Sequence, residues 1–387
     1  MKKILISLIS EQTIPNILVT IHYKPDILWF ISTERMEKER KTECIEDTLK
    51  LKGLLPPTVE KVTVDQNSLE DCINKIESLI EKVDNEFEYI VNITGGNKVM
   101  AIAAYEIFRE IGQKVVIDYL PLGTNELVQI FPRKKPLKIC EIKKRLNLEE
   151  YLRSYGFKIQ NKDELQRKAS ESISRKDGSK WIMNNYEQLK EVLGFLYKNL
   201  KEARNIKRYP LSATYDRNLA SIESEMLNKN GFETKGRQIS KDMNKEEVVY
   251  LTGGWFEEYV FNEVFDLKQE GLLDDAMVGI NIEDLSGVLN ELDIAFVKEN
   301  IFYHIECKTL TEGEKDIVRD EVYKKGAIST LLGKGEKRAM ICTTLNQISE
   351  SITKRAQSYG VEILPIEQVR NLKDKLRERF GVQKYNG

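Results

Sequence analysis

Two carboxylates and a lysine near the C-terminal end of the sequence have the spacing of a small reactive site. They lie on two strand-like segments, residues 291–298 and 301–308, which are separated by two residues. A two-residue turn between the segments places Asp293 directly opposite Glu306. Lys308 shares their face of the sheet because side chains alternate along a strand.

Directly opposed carboxylates repel each other, so this pair needs a cation between its members. Carboxylate oxygens are ligands that Mg²⁺ and Mn²⁺ prefer, and we expect Asp293 and Glu306 to bind one of these ions. Lys308 would orient a water molecule or stabilise charge that develops on a phosphate. The alternative is an ordinary hairpin whose charged side chains face water.

A third carboxylate is expected on a helix that begins at Gly254. On a helical wheel Glu257 falls within an apolar arc, whereas Glu258 lies nearer the polar edge. A buried carboxylate is costly unless it is paired or bound to a metal, so Glu257 is the better candidate for a supporting catalytic residue. The alternative is a glutamate at the rim whose carboxylate reaches solvent.

A glycine-containing loop in the N-terminal part has the composition of an anion-binding site. It offers polar donors, a cation and two glycines at Asn92, Thr94, Gly95, Gly96, Asn97 and Lys98. Glycine lets the backbone approach a ligand closely, and the first N–H groups of a helix attract an anion. The alternative is an ordinary strand–helix turn with Asn and Thr as caps. The loop is not a Walker motif, since the pattern GxxxxGK[ST] is missing.

A second polar loop follows the first apolar run of the chain, and it contains Ser10, Gln12 and Thr13. The loop does not have the pattern GxGxxG, which removes the main support for a nicotinamide cofactor. Loops that follow parallel strands meet at one edge of the sheet. We therefore expect these three side chains to line one crevice with the glycine-containing loop.

Both loops belong to a region in which apolar runs alternate with helical segments. The runs lie at 4–9, 27–32, 59–64, 89–94 and 114–120. This alternation predicts an α/β fold with a doubly wound, Rossmann-like parallel sheet. A basic, Pro-containing stretch at 131–138 closes the region. We place a first domain at 1–138, a charged helical connector at 139–245 and a second α/β domain at 246–387.

The composition excludes several classes of protein. The net charge is only −2, so strong global attraction to nucleic acid is absent, although a local basic groove is compatible with it. His22 and His304 are the only histidines, which excludes a His-rich zinc site. Five cysteines without a CxxC pair favour a reducing cytoplasm over a disulfide framework. No apolar run approaches the length of a membrane span, and we expect no membrane partner.

Basic residues after the hairpin are candidates for a rim that contacts phosphates. They are Lys324, Lys325, Lys334, Lys337 and Arg338. The alternative is a solvated helix and loop whose charges face water.

The carboxylate hairpin and the two polar N-terminal loops together resemble the arrangement of a known family. The loops SEQTIPN and NITGGNKVM resemble those of CRISPR-associated Rossmann-fold (CARF) sensor domains. The motifs ELD (291–293) and IECK (305–308), preceded by the helix GGWFEEYV, resemble those of restriction-endonuclease-like PD-(D/E)XK nucleases, with Leu292 in place of proline. The combination is similar to the cyclic-oligoadenylate-activated ancillary nucleases of type III CRISPR systems.

For the N-terminal domain, the resemblance implies a homodimer that binds cyclic tetra-adenylate across its two-fold axis. The residues at 92–98 would contact phosphate or ribose. Ser10, Gln12 and Thr13 would lie near adenine or ribose. Binding would rearrange the dimer and activate the nuclease domains.

For the C-terminal domain, the resemblance implies a metal-dependent endonuclease of antiviral defence. Asp293 and Glu306 would hold Mn²⁺ or Mg²⁺, and Lys308 would assist the attacking water. The scissile bond would be a phosphodiester of DNA, of RNA or of both.

Other functions stay open from the sequence. A metal-free HEPN ribonuclease is excluded, because neither histidine follows an arginine at the spacing of the motif Arg-x₄₋₆-His. A ligand-sensing regulator without catalysis, with a DNA-binding region within 139–250, is the main alternative. Degradation of the cyclic ligand by the sensor domain is a further one.

Overall fold

The computed structural model describes residues 2–83, 86–310, 315–332 and 338–381 of the 387-residue chain. A first sheet of seven strands is built from the N-terminal part. Its strands are β1 (Lys3–Leu8), β2 (Ile27–Thr33), β3 (Thr58–Val64), β4 (Glu88–Asn92), β5 (Val115–Tyr119), β6 (Glu126–Phe131) and β7 (Ile139–Glu141). Five helices connect them, namely α1 (Ile14–Tyr23), α2 (Glu34–Lys38), α3 (Lys41–Leu51), α4 (Leu69–Ile80) and α5 (Lys98–Ile111).

The strand order β3-β2-β1-β4-β5-β6-β7 confirms the predicted doubly wound sheet. The first five strands are parallel, and β6 and β7 are antiparallel additions at one edge. Ile17 and Leu49, from α1 and α3, pack on one face, while Ile76 and Phe108, from α4 and α5, pack on the other. Apolar strands covered on both faces explain the continuous runs in the sequence.

The order of the strands reverses between β1 and β4, which lie side by side in the sheet. Ligands of open α/β sheets bind at such a reversal, outside the carboxyl ends of the strands. The two loops singled out in the sequence are those that follow β1 and β4. We call this place the sensor edge, formed by residues 9–13 and 93–98.

A mixed segment follows the first sheet. Its elements are α6 (Leu148–Ser154), β8 (Lys158–Ile159), α7 (Lys162–Ser174), α8 (Lys176–Asn184), α9 (Tyr186–Leu200), a 3₁₀ turn (Lys201–Ala203), β9 (Arg208–Thr214), α10 (Ser221–Lys229), β10 (Glu233–Lys235), β11 (Gln238–Asn244) and α11 (Lys245–Val249). The connector is largely helical, but it also contains a three-stranded antiparallel sheet in the order β10-β11-β9, which the sequence analysis missed.

The C-terminal part forms a six-stranded mixed sheet. Its elements are a π-helical turn (Tyr250–Gly254), α12 (Trp255–Gln269), β12 (Asp275–Glu283), β13 (Leu289–Lys298), β14 (Ile301–Lys308), α13 (Lys315–Leu331), β15 (Ala339–Thr343), α14 (Glu350–Ser358), β16 (Val361–Leu364), α15 (Ile366–Arg370) and α16 (Leu372–Phe380). The strand order is β16-β15-β14-β13-β12-β8, so the short strand β8 of the mixed segment completes this sheet.

The domain boundaries at residues 138 and 245 remain predictions. In the structure, two strands pair across these boundaries. Strand β7 returns to the first sheet just after residue 138, and β8 pairs with β12 of the last sheet. The basic stretch before β7 is therefore a loop within the first sheet and not its end.

Both main sheets share one apolar core through α6. Leu18 of the first domain, Leu148 and Tyr151 of α6, and Ala295 and Phe302 of the last sheet belong to the same buried cluster. The rings of Tyr151 and Phe302 stack with centroids 5.5 Å apart. The first domain and the last sheet are thus joined by close packing. None of the helices in the described part of the chain combines the length and apolar character needed to cross a membrane.

Candidate functional site

The hairpin of β13 and β14 has the register that the sequence predicts. Ile294 pairs with Ile305, and Lys298 pairs with Ile301. The turn residues Glu299 and Asn300 have φ angles of 53° and 64°, as a two-residue hairpin turn of the I′ type requires. The next residues beyond the first of these pairs are Asp293 and Glu306, so the two carboxylates face each other at the open end of the hairpin.

Asp293 lies just beyond Ile294, the last paired residue of β13 in the β13–β14 ladder. Its Oδ2 accepts a hydrogen bond from the backbone N–H of Cys307 at 2.7 Å. This bond holds Asp293 beside Glu306. Burial, together with the carboxylates of Glu257 and Glu306, raises the pKa of Asp293 well above its usual value.

Two lysines neutralise Glu306, which is buried. Lys308 Nζ lies 2.8 Å from Oε1, and Lys325 Nζ lies 2.5 Å from Oε2. Burial disfavours the charged form of Lys308, but Glu306 outweighs burial and raises the pKa of this lysine above its usual value. Lys308 is therefore held protonated beside the carboxylates, as a cation that can contact a phosphate.

Sequence reasoning missed the place of Lys325 in the site. It was considered only as part of a surface rim, yet its side chain is buried against Glu306. The signal was its spacing from Val318 and Val322, which are buried on the same face of α13. A lysine on an apolar helical stripe requires a buried partner.

The adjacent residues Glu257 and Glu258 of α12 have different surroundings. Glu257 lines the same cleft as Asp293 and Glu306. Burial and the nearby Glu291 and Glu306 carboxylates raise the pKa of Glu257 to about 7, against the opposing effect of Arg204. Glu258 also borders this cleft, but it is buried and accepts two hydrogen bonds from Arg175 Nε at 3.1 and 3.0 Å.

The donor chemistry of this cleft fits an oxygen-preferring divalent cation. Three carboxylates, those of Glu257, Asp293 and Glu306, oppose one another electrostatically, as the raised pKa values of the first two show. Across the described ranges, no group of three or more acidic, histidine or cysteine side chains is close enough to hold a metal by itself. Glu306 and Asp293 are therefore the candidate protein ligands, with Glu257 as a supporting carboxylate.

The predicted basic rim is divided by the fold. Lys324 is exposed and pairs with Glu321 at 3.1 Å, while Lys325 lies on Glu306. Arg338 instead lines a small pocket between the domains together with Gln12 and Tyr155. Lys334 and Lys337 lie outside the described residues.

At the sensor edge the two loops are in direct contact. A Cβ atom on Gly95 would lie 2.0 Å from the carbonyl oxygen of Leu8, so only glycine fits at this position. Gly96 has a φ of +67°, which glycine adopts without strain. The glycines thus bring the loop after β4 against the end of β1, as the sequence predicts.

Polar groups of the loop after β4 are partly used to build it. Asn97 caps α5 by accepting from Met100 N at 3.0 Å, and its Nδ2 donates to the Gln66 carbonyl at 2.6 Å. Thr94 Oγ1 accepts from Leu120 N at 2.8 Å. Lys98 is exposed at the start of the helix.

Asn92 differs from these side chains. It lies at the end of β4 and is fully buried, and its Oδ1 accepts from Thr94 N at 3.1 Å. Its Nδ2 has no hydrogen-bond partner within the part of the chain that the structure describes. The side-chain amide of Asn92 is therefore an unpaired donor beneath the loop.

The loop after β1 is also tied to its surroundings. Thr13 is fully buried and donates to the Ser154 carbonyl at 2.7 Å, so it contacts α6 rather than the open edge where it was expected. Gln12 accepts from the Tyr155 hydroxyl at 3.0 Å. Ser10 Oγ accepts from Gln12 N at 3.3 Å. Ser10 and Gln12 remain half-buried, with partial access to the crevice.

Comparison with known families agrees with this geometry. Residues 4–151 match the family model described as the Card1 CARF domain. Residues 244–383 match the family model described as the Card1-like endonuclease domain. The chain is a CARF protein with a Card1-like endonuclease domain. A comparison with curated proteins gave no significant match.

Solved structures show the same fold over almost the whole chain. The protein VC1899 from Vibrio cholerae is 20% identical, with a TM-score of 0.77 over 98% of each chain. Can2 from Sulfobacillus thermosulfidooxidans, solved in complex with cyclic tetra-adenylate, is 18% identical, with a TM-score of 0.78 over 98% of this chain and 100% of Can2. A type III CRISPR defence DNA nuclease activated by cyclic oligoadenylate is 15% identical, with a TM-score of 0.53 over 89% of this chain and 45% of that chain.

Proposed function

We propose that this CARF protein is a metal-dependent nuclease that cyclic tetra-adenylate switches on in type III CRISPR defence. The observation that carries the proposal is the pair Asp293 and Glu306, opposed at the end of a hairpin with Lys308 on the same face. The endonuclease-domain match agrees with it, and the related fold of Can2 was solved with the cyclic ligand. The substrate is DNA, RNA or both.

In the proposed reaction, Asp293 and Glu306 hold Mg²⁺ or Mn²⁺. A bound divalent ion would supply Lewis acidity to the phosphodiester and lower the pKa of an attacking water. The backbone N–H of Cys307 keeps Asp293 in place, and Lys325 orients Glu306. Lys308, held protonated beside Glu306, contacts the phosphate and stabilises its developing negative charge.

Ligand binding is proposed at the sensor edge. Gly95 and Gly96 let the loop after β4 pack against the end of β1, and Lys98, exposed at the start of α5, attracts the phosphates of the cyclic ligand. Asn92, Thr94 and Asn97 shape the loop through their hydrogen bonds, while Ser10 and Gln12 flank the crevice. Thr13 supports this edge from below through Ser154.

A continuous set of contacts joins the sensor edge to the reactive hairpin. Thr94 accepts from Leu120, whose loop leads to Asn125. Asn125 Nδ2 donates to the carbonyl of Glu299 at 3.2 Å, and its Oδ1 accepts from Asn300 Nδ2 at 2.7 Å. The turn of the hairpin therefore rests on the sensor domain, while its other end carries the carboxylates. This contact gives ligand binding a physical route to the nuclease site.

We further propose that the active form is a homodimer in which two copies of the sensor edge bind one cyclic ligand. A ring with two-fold symmetry is matched by a two-fold dimer. Helix α5 starts directly after the ligand loop and carries Ile102, which is 56% exposed beside Tyr105. A second copy that covers this apolar face would bring the two loops side by side.

The substitution Glu306→Gln tests the proposal against the alternative of a regulator without catalysis. Cleavage of DNA and RNA with Mn²⁺ should be lost, because an uncharged amide is a poor ligand for a hard cation. Binding of cyclic tetra-adenylate, measured by calorimetry, should be unchanged, since the sensor edge is untouched. Unchanged cleavage in the variant would overturn the assignment of the site, and ligand binding by a wild-type protein that never cleaves would favour the regulator.

A further inference from the structure

The nuclease carboxylates line a cleft whose opposite wall comes from the mixed segment. The cleft has a volume of about 950 Å³. One wall carries the three carboxylates and Lys308. The other, which we call the basic wall, is formed by residues of α7, the turn after α9 and α11. Most of this wall lies between residue 151, where the first family match ends, and residue 244, where the second begins.

The basic wall carries five cations, at Arg167, Lys168, Arg175, Arg204 and Lys245, and three carboxylates, at Glu164, Glu171 and Glu246. Three of the cations have partners within the protein. Arg175 is held by Glu258, Arg167 pairs with Glu171 at 2.7 Å, and Lys168 donates to the Gly279 carbonyl at 3.1 Å.

Arg204 and Lys245 differ from these three. Both are exposed, and neither forms an ion pair with a carboxylate among the residues that the structure describes. Arg204 is close enough to the reactive carboxylates to lower the pKa of Glu257. The two side chains thus present free positive charge to the cleft.

The backbone places these two cations firmly. Arg204 follows Leu200 and Ala203, which are both buried in the core of the C-terminal part. Lys245 is the first residue of α11, directly after Asn244, whose side chain caps that helix by accepting from Glu247 N at 2.8 Å. Helix α11 packs against the turn that precedes Arg204. The free charges therefore sit on fixed elements and not on an unsupported loop.

A polynucleotide in the cleft would be flanked by carboxylates on one side and would need cations on the other, because each of its phosphates is negatively charged. We propose that Arg204 and Lys245 bind the phosphates that neighbour the scissile phosphodiester, so that the mixed segment acts as the substrate-binding wall of the nuclease site. The inference rests on the proposed nuclease function and adds to it the part of the chain that holds the nucleic-acid backbone.

The test measures binding without cleavage. Full-length protein with cyclic tetra-adenylate and EDTA is titrated against fluorescein-labelled single-stranded DNA and RNA, by fluorescence anisotropy, over a series of KCl concentrations. Arg204→Gln and Lys245→Gln should each weaken binding about tenfold, which is the effect of one charge-assisted hydrogen bond. Each should also reduce the magnitude of the slope of log K against log [KCl] by roughly 0.7, the value for one phosphate contact on a single strand.

Two matched variants separate substrate binding from general effects. Lys207→Gln removes the same charge from an exposed position three residues after Arg204 that does not line the cleft, and it should leave affinity and slope unchanged. Arg204→Lys keeps the charge and should keep the slope.

The possible results have distinct meanings. If Arg204→Gln and Lys245→Gln retain the affinity and slope of Lys207→Gln, the basic wall does not bind substrate, although a wild-type protein that cleaves would still support the nuclease function. A wild-type protein that neither binds nor cleaves any polynucleotide would overturn the nuclease function itself and the inference with it.

Discussion

Glu257 and Glu258 are neighbours in the sequence, but their carboxylates have different roles in the fold. Glu257 faces the other carboxylates of the cleft, whereas Glu258 is neutralised by Arg175. Because the pKa of Glu257 is raised to about 7, its ionised form destabilises the folded state above that pH when no metal is bound. Glu258 contributes through its ion pair, so its loss leaves the partly buried Arg175 with only the longer ion pair to Glu171, at 3.9 Å.

Replacement of Glu257 by glutamine should therefore lower activity without lowering stability. We expect cleavage to fall by about a hundredfold or more, as for the loss of a group that stabilises the reaction directly. The melting temperature in EDTA at pH 8 should stay the same or rise, because the substitution removes a carboxylate that is repelled by its neighbours. Cleavage assays and differential scanning calorimetry measure the two effects.

Glu258→Gln is the matched control for that variant. It should lower the free energy of unfolding by roughly 1–3 kcal/mol, because a buried charge pair loses one partner. At temperatures at which this variant is still folded, its cleavage rate should remain close to that of the wild type. The reverse pattern, with activity lost in Glu258→Gln and kept in Glu257→Gln, would contradict the assignment of the two side chains.

The residues of the site were predictable where a local pattern encodes them. The register of a two-residue hairpin predicts Asp293 opposite Glu306. The helical wheel places Glu258 nearer the polar edge, whereas the structure buries this side chain against Arg175, a partner that no local spacing encodes. Arg204 was not predicted, because its place at the cleft depends on how the turn after α9 packs against α11, and no spacing in the sequence encodes that contact.

At the scale of elements, the β13–β14 hairpin connects the two functions of the chain. Its turn contacts Asn125 of the sensor domain, and its open end carries Asp293 and Glu306. The ladder between them is a regular antiparallel pair that packs on both faces. We therefore expect a movement of the turn to change the positions of the carboxylates.

Asn125→Ala should uncouple ligand binding from cleavage. The substitution removes both side-chain bonds to the hairpin turn, and we expect the ratio of ligand-stimulated to basal cleavage to fall about five- to tenfold, within the usual range of allosteric coupling. Affinity for cyclic tetra-adenylate and cleavage rates with and without it are the measured quantities. Thr124→Ala is the control, since Thr124 bonds within its own loop to the Pro121 carbonyl. An unchanged ratio in Asn125→Ala would show that this contact does not carry the signal.

The strands of the three sheets were predictable to different degrees. The strands of the first sheet are continuous apolar runs because both faces are covered. Strands β9, β10 and β11 are mostly polar and partly exposed, so no apolar run or strict alternation identifies them. Strand β16 has only four residues, which are too few for a clear periodic signal.

At the scale of the whole molecule, the proposed dimer places a second copy over the exposed face of α5 that carries Ile102. The substitution Ile102→Glu introduces a charge into this face and should prevent assembly, since an unpaired carboxylate at an interface is costly. Light scattering should then give the mass of one chain, 44.9 kDa, where the wild type gives twice that value. Affinity for cyclic tetra-adenylate should fall together with assembly, because one copy offers half of the binding site.

Ile173→Glu is the control for assembly, because Ile173 is 40% exposed on α7, on a different element of the chain. It should leave the mass and the ligand affinity unchanged. A wild-type protein with the mass of a single chain that still binds cyclic tetra-adenylate tightly would contradict the proposed dimer.

The central claim is that one chain contains both a ligand sensor and the nuclease that it controls. The most direct test is a cleavage gel of wild-type protein with supercoiled plasmid, single-stranded DNA and single-stranded RNA, with and without cyclic tetra-adenylate and with Mn²⁺ or EDTA. We expect cleavage only when ligand and metal are both present, and none with Glu306→Gln. Cleavage that is equally fast without the ligand, or that persists in EDTA, would contradict it.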